Sequence, residues 1–263
     1  MSTGTEPSTD GRRVLARAGS AGSAHGYEVT LATDEPGVHA AQRLRHAVLT
    51  GEFGDGAVSA VDGRDADPFD GLCDHLVVHE RATGQLVGTY RLLPPRAAGP
   101  AGKLYADGEF DLGALAPLRD GLVEAGRACV HPGHRNGTVM LALWSGILTY
   151  LTQRRSRWLC GCVSVSLDDG GHRAAAAWRT VRDHHRAPLP HRVTPRVPWP
   201  ADTVPEGPDA PLPPLLQGYL RLGAWVCGPP ALDAAFNAAD LFVLLSLDRV
   251  SPAYLRLLRR MSG

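Results

Sequence analysis

Lysine is nearly missing: Lys103 is the single lysine among 27 basic side chains, which 27 acidic ones balance to a formal net charge of zero. Without an excess of either sign, the chain is neither a nucleic-acid coat nor an acidic solvating tail. Cysteines number five, an odd count scattered at 73, 129, 160, 162 and 227, which argues against a disulfide-built secreted domain. Cys129, Cys160 and Cys162 sit inside apolar, strand-like runs and read as small core hydrophobes. One residue separates Cys160 from Cys162, too few for the common zinc and redox motifs. The longest nearly apolar stretch, Val139 to Leu151, falls short of the roughly 20 residues that a bilayer-crossing helix needs. Residues 1–25 carry Ser, Thr, Gly and Ala but no apolar block, which predicts a disordered leader and not a signal peptide. The expectation is a cytoplasmic protein, with peripheral contact at the inner face of the membrane left open.

What is present is enough for one large core. With 44% hydrophobic residues over 263 positions, a chain of this length buries roughly three-quarters of its unfolded surface. Tyr27 to Leu31 alternates like a first strand. Pro36 to Leu49 carries apolar residues at helical spacing, with Pro36 at the first turn. His75–His79 and Gln85–Leu93 flank Ala82-Thr-Gly84 and predict an antiparallel hairpin. Leu122 to Val130 reads as a strand running into a loop over 131–137, a helix over Thr138–Gln153 and a buried strand over Trp158–Leu167. Ala174 to His184 is helical. Eight prolines between 195 and 214 predict an extended linker. Beyond it, strands are expected over Ala224–Cys227 and Leu241–Leu247, and Ser251-Pro252 opens a last helix. The predicted division is a leader at 1–25, a core at 26–194, a Pro-rich linker at 195–214 and a C-terminal extension at 215–263 packing on the core. The fold class is mixed α/β.

Four clusters can carry chemistry: Arg45-His-Ala-Val-Leu49, Asp67-Pro-Phe-Asp70, Gly88-Thr-Tyr-Arg91 and Glu124-Ala-Gly-Arg127. Charges inside apolar strands are costly unless paired. They mark either a structural ion-pair network or a polar cleft. Residues three apart on a regular strand point to opposite faces. Glu124 and Arg127 share a face only if the strand bulges, and Gly126 is the natural place for that. A bulge there would splay this strand from the next and open a slot for a thin ligand such as a pantetheine arm. His131 and His134 read as loop histidines, so no metal is expected. Arg173, Arg179, Arg182, Arg186, Arg192 and Arg196 form a basic stretch, either a solvated face or a docking patch for an acidic carrier protein.

These clusters resemble the GNAT acyltransferase superfamily, and their series is similar to the branch that includes acyl-homoserine lactone synthases. The strongest likeness is to the ornithine–acyl-carrier-protein N-acyltransferases, also called hemolysin-like acyltransferases. It lies in Asp67 to Leu76, in Glu124 to Pro132, and in the tail segments Leu215 to Gly228, Pro230 to Asp233 and Phe236 to Leu245. The resemblance implies a mostly antiparallel mixed sheet with a splayed central strand pair flanked by helices, plus a C-terminal strand/helix extension.

It also implies N-acylation of an amino acid, ornithine above all, by a 3-hydroxyacyl thioester on the 4'-phosphopantetheine of acyl carrier protein, giving a lyso-aminolipid. No tightly bound cofactor is expected. Coenzyme A-dependent N-acetylation, lactone-type signal synthesis and a non-catalytic acyl-binding module are the alternatives. On this reading Glu124 is the general base and Arg127 its catalytic partner. Arg45, Asp67, Asp70 and Arg91 bind the substrate, or the two aspartates hold the arginines in place. Ala128, Cys129, Val130, Arg135, Asn136 and Gly137 serve the oxyanion and the pantetheine arm. The segment Arg135 to Met140 has one glycine, out of register for a pyrophosphate cradle, which suits a carrier protein as donor.

Overall fold

A computed structural model of the chain describes residues 13–19, 26–54, 60–97, 103–205 and 210–260. The main sheet runs in the order β1 (Val14–Ala18), β2 (Tyr27–Ala32), β5 (Asp74–Glu80), β6 (Leu86–Leu93), β8 (Leu122–Val130), β9 (Trp158–Ser166), β13 (Ala238–Ser246) and β11 (Trp225–Val226). β12 (Ala231–Asp233) also pairs with β13. Two small two-stranded sheets stand apart: the hairpin of β3 (Ala60–Val61) with β4 (Arg64–Asp65), and the long-range pair of β7 (Phe110–Asp111) with β10 (Thr194–Pro195). Every pairing in the main sheet is antiparallel except β8 with β9.

Helix α1 (Glu35–Phe53) is started by Asp34, whose carboxylate accepts a hydrogen bond from the Gly37 amide. It turns Ala41, Arg45, Val48 and Leu49 inward. Helix α2 (Gly137–Arg154) is capped by Asn136 and ends at Arg155 in a left-handed conformation. With α3 (His172–His184) it covers the sheet face carrying Val123, Leu159, Val163 and Val243. The opposite face, with Leu93, Leu122, Cys160, Phe242 and Leu244, packs on the segment around Phe110 and Leu115. Alternation along each strand thus serves two cores.

The helices and strands of the 26–194 region fall where periodicity places them, within one to four residues at their ends. Two expectations are corrected. Within the predicted leader, Val14–Ala18 is an edge strand on β2, because Leu15, Ala16 and Ala18 supply a buried apolar side; residues 1–12 and 20–25 lie outside the described residues. The Pro-rich segment is not a free linker. Its prolines deny it helix and ladder, yet Thr194–Pro195 pairs with β7, the Trp199 amide bonds to the Pro230 carbonyl and the Leu232 amide to the Val197 carbonyl. Trp199 and Ala201 are buried. The C-terminal extension enters the sheet itself: β13 pairs with β9 along nine positions, from Ala238↔Ser166 to Ser246↔Trp158, and is buried throughout. Helices α4 (Pro214–Arg221) and α5 (Pro252–Arg259) then lock on from behind. The Tyr90 and Tyr219 hydroxyls lie 2.7 Å apart, and Ser145 donates to the Leu258 carbonyl at 2.7 Å. No helix among the described residues is long and apolar enough to cross a membrane.

Candidate active site

β8 and β9 pair at only three positions, the last being Glu124↔Cys160. Beyond it the two strands share no ladder, and a cavity of about 660 Å³ opens there, well inside the usual range for small-ligand sites. The bulge on the other side of β8 is real. Thr89 pairs with Cys129 and Arg91 with Gly126, so two residues of β8 oppose Tyr90. Its left-handed residue is Arg127, at φ 55°, and not Gly126. The extra residue turns Arg127 toward the side already occupied by Glu124, and both line the cavity.

Glu124 is 5% exposed. Its two carboxylate oxygens accept hydrogen bonds from the Tyr105 amide at 2.6 Å and the Ala106 amide at 2.8 Å. Burial pushes its carboxyl up to about 7 against the opposing pull of those amides and of Arg91. Such a group changes protonation state near neutrality, as a general base must. Arg127 lies over the rings of Tyr105 and Phe236 at 5.2 and 5.3 Å, and Arg91 lies 5.9 Å from the Tyr105 ring centre.

Behind the two cavity arginines sits a buried ionic lattice. Arg91 reaches Asp67 at 2.7 Å and Asp70 at 3.1 Å; Arg127 reaches Asp65 at 3.2 Å and Asp67 at 3.5 Å. Arg45, fully buried, bonds Asp65 at 2.8 Å and Asp70 at 2.9 Å. Burial alone would raise the Asp70 carboxyl, but Arg45 and then Arg91 hold it well below the usual carboxylate range. Arg45, Asp67 and Asp70 therefore lie behind the cavity wall and do not line it; of the two roles expected for the aspartates, binding substrate or holding the arginines, their contacts are those of the second. Sequence reasoning missed Asp65, which joins Arg45 to Arg127. Its signal was only one more acid in a Gly/Asp-rich loop.

The pantetheine residues divide. Ala128, Val130, Arg135, Asn136 and Gly137 line the cavity; the Cys129 side chain is buried among Val48, Leu49, Phe236 and Ala238 instead. The Asn136 side chain accepts from the Thr138 and Val139 amides, and Arg135 pairs with Glu52. Two donors of the helix N-terminus are thus already used. The far wall is apolar, with Met140, Leu143, Trp144 and Ile147 from α2 facing Leu215 of α4 and Tyr254 of α5. Other cavity residues were given no place in the site by the sequence reading: Glu109, Ser164, Asp240 and Cys162, the last read as a small core hydrophobe. On α3, Arg182 is paired with Asp183 and Asp202, and Arg179 reaches the Val204 carbonyl, so the basic stretch is partly neutralised.

A parallel strand pair that parts beside a buried carboxylate, with a helix N-terminus at its mouth, is the frame of a GNAT acyltransferase, and residues 44–145 match the acetyltransferase (GNAT) domain model. The fold is shared with the acyl-homoserine lactone synthase LasI (TM-score 0.53, 12% identity, 91% of this chain and 98% of that one). It is shared equally with FeeM, an N-acyl amino acid synthase from uncultured soil microbes (TM-score 0.51, 14% identity, 84% and 90%). Sequence narrows the class. The chain is 36% identical over 241 residues to the L-ornithine N(alpha)-acyltransferase of Rhodobacter capsulatus, covering 86% of this chain and 92% of that protein. It is 34% identical over 261 residues to the Brucella abortus enzyme of the same name, covering 92% and 90%. The protein belongs to the L-ornithine N(alpha)-acyltransferase family, and is an N-acyltransferase.

Proposed function

We propose that the protein transfers an acyl chain from the phosphopantetheine thioester of an acyl carrier protein to the α-amino group of ornithine. The observation that carries this reading is the placement of Glu124, a buried carboxyl titrating near neutrality at the fork of β8 and β9. An ammonium has no lone pair for attack. Glu124 takes its proton, directly or through one water, and the freed amine attacks the thioester carbon. The C–N bond forms, the C–S bond breaks as the tetrahedral intermediate collapses, and the departing thiolate takes a proton.

Beyond Glu124 the β9-facing edge of β8 has no strand partner among the described residues. Its amides in the span from Ala128 to Val130 are suited to stabilise the oxyanion. Arg127 and Arg91, braced by aspartates, meet the acceptor carboxylate. The apolar wall of α2, α4 and α5 receives the acyl chain. Asn136 already occupies two amides of the α2 N-terminus, and Glu52 neutralises Arg135. A single pantetheine phosphate is served better there than a pyrophosphate, which favours a carrier protein over coenzyme A. The product is a single-chain aminolipid, so its release places the enzyme at the inner face of the membrane.

The test incubates purified protein with mixed amino acids and a 3-hydroxyacyl carrier protein, reading products by lipid mass spectrometry. Acyl-ornithine is expected. Turnover with acetyl-coenzyme A alone, or ligand binding with no product, would overturn the reading.

A further inference from the structure

Strand parity places a row of side chains on one face of the sheet. Arg91 on β6 opposes Gly126 on β8, Glu124 opposes Cys160 on β9, and further along Ser164 opposes Asp240 on β13. Arg91, Glu124, Cys162, Ser164 and Asp240 all border the same cavity. Guanidinium groups stand at its β6 side. At the β9–β13 side stands the opposite charge: the ligating atoms of Glu109, Cys162 and Asp240 lie within 4.8 Å of one another.

Two features single out this end. Asp240 borders the cavity and is 2% exposed, yet its Oδ1 has no hydrogen-bond partner among the described residues, and neither has Oε2 of Glu109. A buried carboxylate oxygen left unpaired costs about 1–3 kcal/mol or more, so it marks a place where a donor belongs. No arginine or lysine is bound to either acid among the described salt bridges, whereas Asp65, Asp67 and Asp70 behind Arg91 and Arg127 each pair with guanidinium, although Oδ2 of Asp67 also lacks a hydrogen bond.

We infer that Glu109 and Asp240 form a recess for the side-chain ammonium of the acceptor amino acid, so that the enzyme selects a diamino acid over a neutral one. The inference rests on the amino-acid acceptor reading above. A diamino acid carries three charged groups, and the cavity offers a complement to each: guanidinium, Glu124 and the acid pair.

Electrostatics fits one monovalent cation. Burial first raises both carboxyls; the Asp240 charge raises Glu109 further, whereas Glu109, Ser164 and Arg127 pull Asp240 down, so the pair tends to hold one proton and one negative charge. Asp233, at the same end, adds acidity, but its Oδ1 accepts from the Ala235 and Phe236 amides. The trio is a poor match for a metal ion. Burial and then Glu109 raise the Cys162 thiol well above its ordinary value, and a thiol must ionise to ligate.

The experiment compares L-ornithine with L-norvaline, the same chain without the δ-nitrogen, using a 3-hydroxyacyl carrier protein as donor. For the wild type, kcat/KM should favour ornithine on the order of 100-fold or more, because a site with buried acceptors rejects the analogue that lacks the donor. In Glu109→Gln and Asp240→Asn that ratio should fall roughly tenfold or more. Ligand-induced thermal stabilisation of the wild type supplies a readout independent of the variants' folding: ornithine should raise Tm and norvaline should not.

An ornithine-to-norvaline ratio near one in the wild type, or a ratio unchanged in both variants, would overturn the recess while leaving N-acylation intact. Absence of acylation with every amino acid would overturn the acceptor reading itself, and the recess with it.

Discussion

Gly161 lies so close to Ala125 that a Cβ added at the glycine would sit 2.2 Å from the alanine carbonyl oxygen. This contact comes one residue past the last ladder position of β8 and β9. The two strands therefore part where β9 presents bare backbone to its neighbour. Gly161→Ala must force the backbones apart at the root of the cavity, since the obstructing atom is main chain and cannot rotate away. The expected loss is about 1–3 kcal/mol, measurable as a fall in Tm of about 2–4 °C per kcal/mol. Gly51→Ala, where the added methyl meets open space on α1, should instead stabilise by about 0.5–1 kcal/mol. Equal Tm values for the two variants would contradict this account of the fork.

Glu124 leads to a pH profile. Its folded-state carboxyl titrates at about 7 because it is buried, against about 4.3 in an unfolded chain. The proton-accepting form is therefore scarce below neutrality, and kcat/KM should fall about tenfold per pH unit below that point. Glu124→Gln should retain the native circular dichroism spectrum, lose roughly 10²–10⁴ in turnover, and lack the pH 7 limb. The same shift has an opposite sign in stability. A raised acid pKa favours the protonated folded form, so this group's contribution declines as pH rises from about 4.3 to about 7. A pH–rate profile without an inflection near neutrality would remove Glu124 from proton transfer.

Most of the frame can be read from residues alone, because it is local. Alternation in 27–31, 75–79 and 122–130, and the apolar stripe of α1, each need only a window of neighbours. Failures occur where a long-range partner decides. Val14–Ala18 is too short and too small to declare itself until β2 offers an edge, and prolines 195–214 look like a spacer until β7 and Pro230 bind their backbone. In the site, Glu124 and Arg127 stand out as charges within an apolar strand. Asp65 and Asp240 do not. One sits in an acid-rich loop, the other on a strand whose pairing with β9 lies 70 to 90 residues away in sequence.

The five cysteines lead to a negative chemical outcome. All are free. Burial pushes Cys73 and Cys129 up to about 12, and raises Cys160, Cys162 and Cys227 as well. Few thiolates exist at neutral pH, and the thiolate is the nucleophile. Intact mass after incubation with acyl donor should therefore show no thioester adduct, and iodoacetamide should label the native protein far more slowly than the unfolded chain. A stable acyl adduct on Cys73 or Cys162 would replace direct transfer by a two-step route.

Arg45 makes no contact with the cavity, yet its loss should be felt there. Removing its guanidinium in Arg45→Met leaves Asp65 and Asp70 buried with one cation fewer, a change that costs about 3–5 kcal/mol in comparable sites. Because Asp70 is held below the usual carboxylate range, it contributes stability above about pH 4, and that contribution is lost as the pH falls further. The gap in stability between wild type and Arg45→Met should therefore narrow on acidification below pH 4. Arg127→Ala behaves differently. Its guanidinium faces the cavity and is held by Asp65 and two rings, so KM for the amino acid should rise about tenfold or more with a smaller loss of Tm. Asp65→Asn tests whether the lattice positions Arg127: it should raise KM in the same direction while leaving the pH 7 limb assigned to Glu124 in place. Unaltered KM in Asp65→Asn, with Arg127→Ala impaired, would show that the aromatic clamp of Tyr105 and Phe236 suffices to aim the guanidinium.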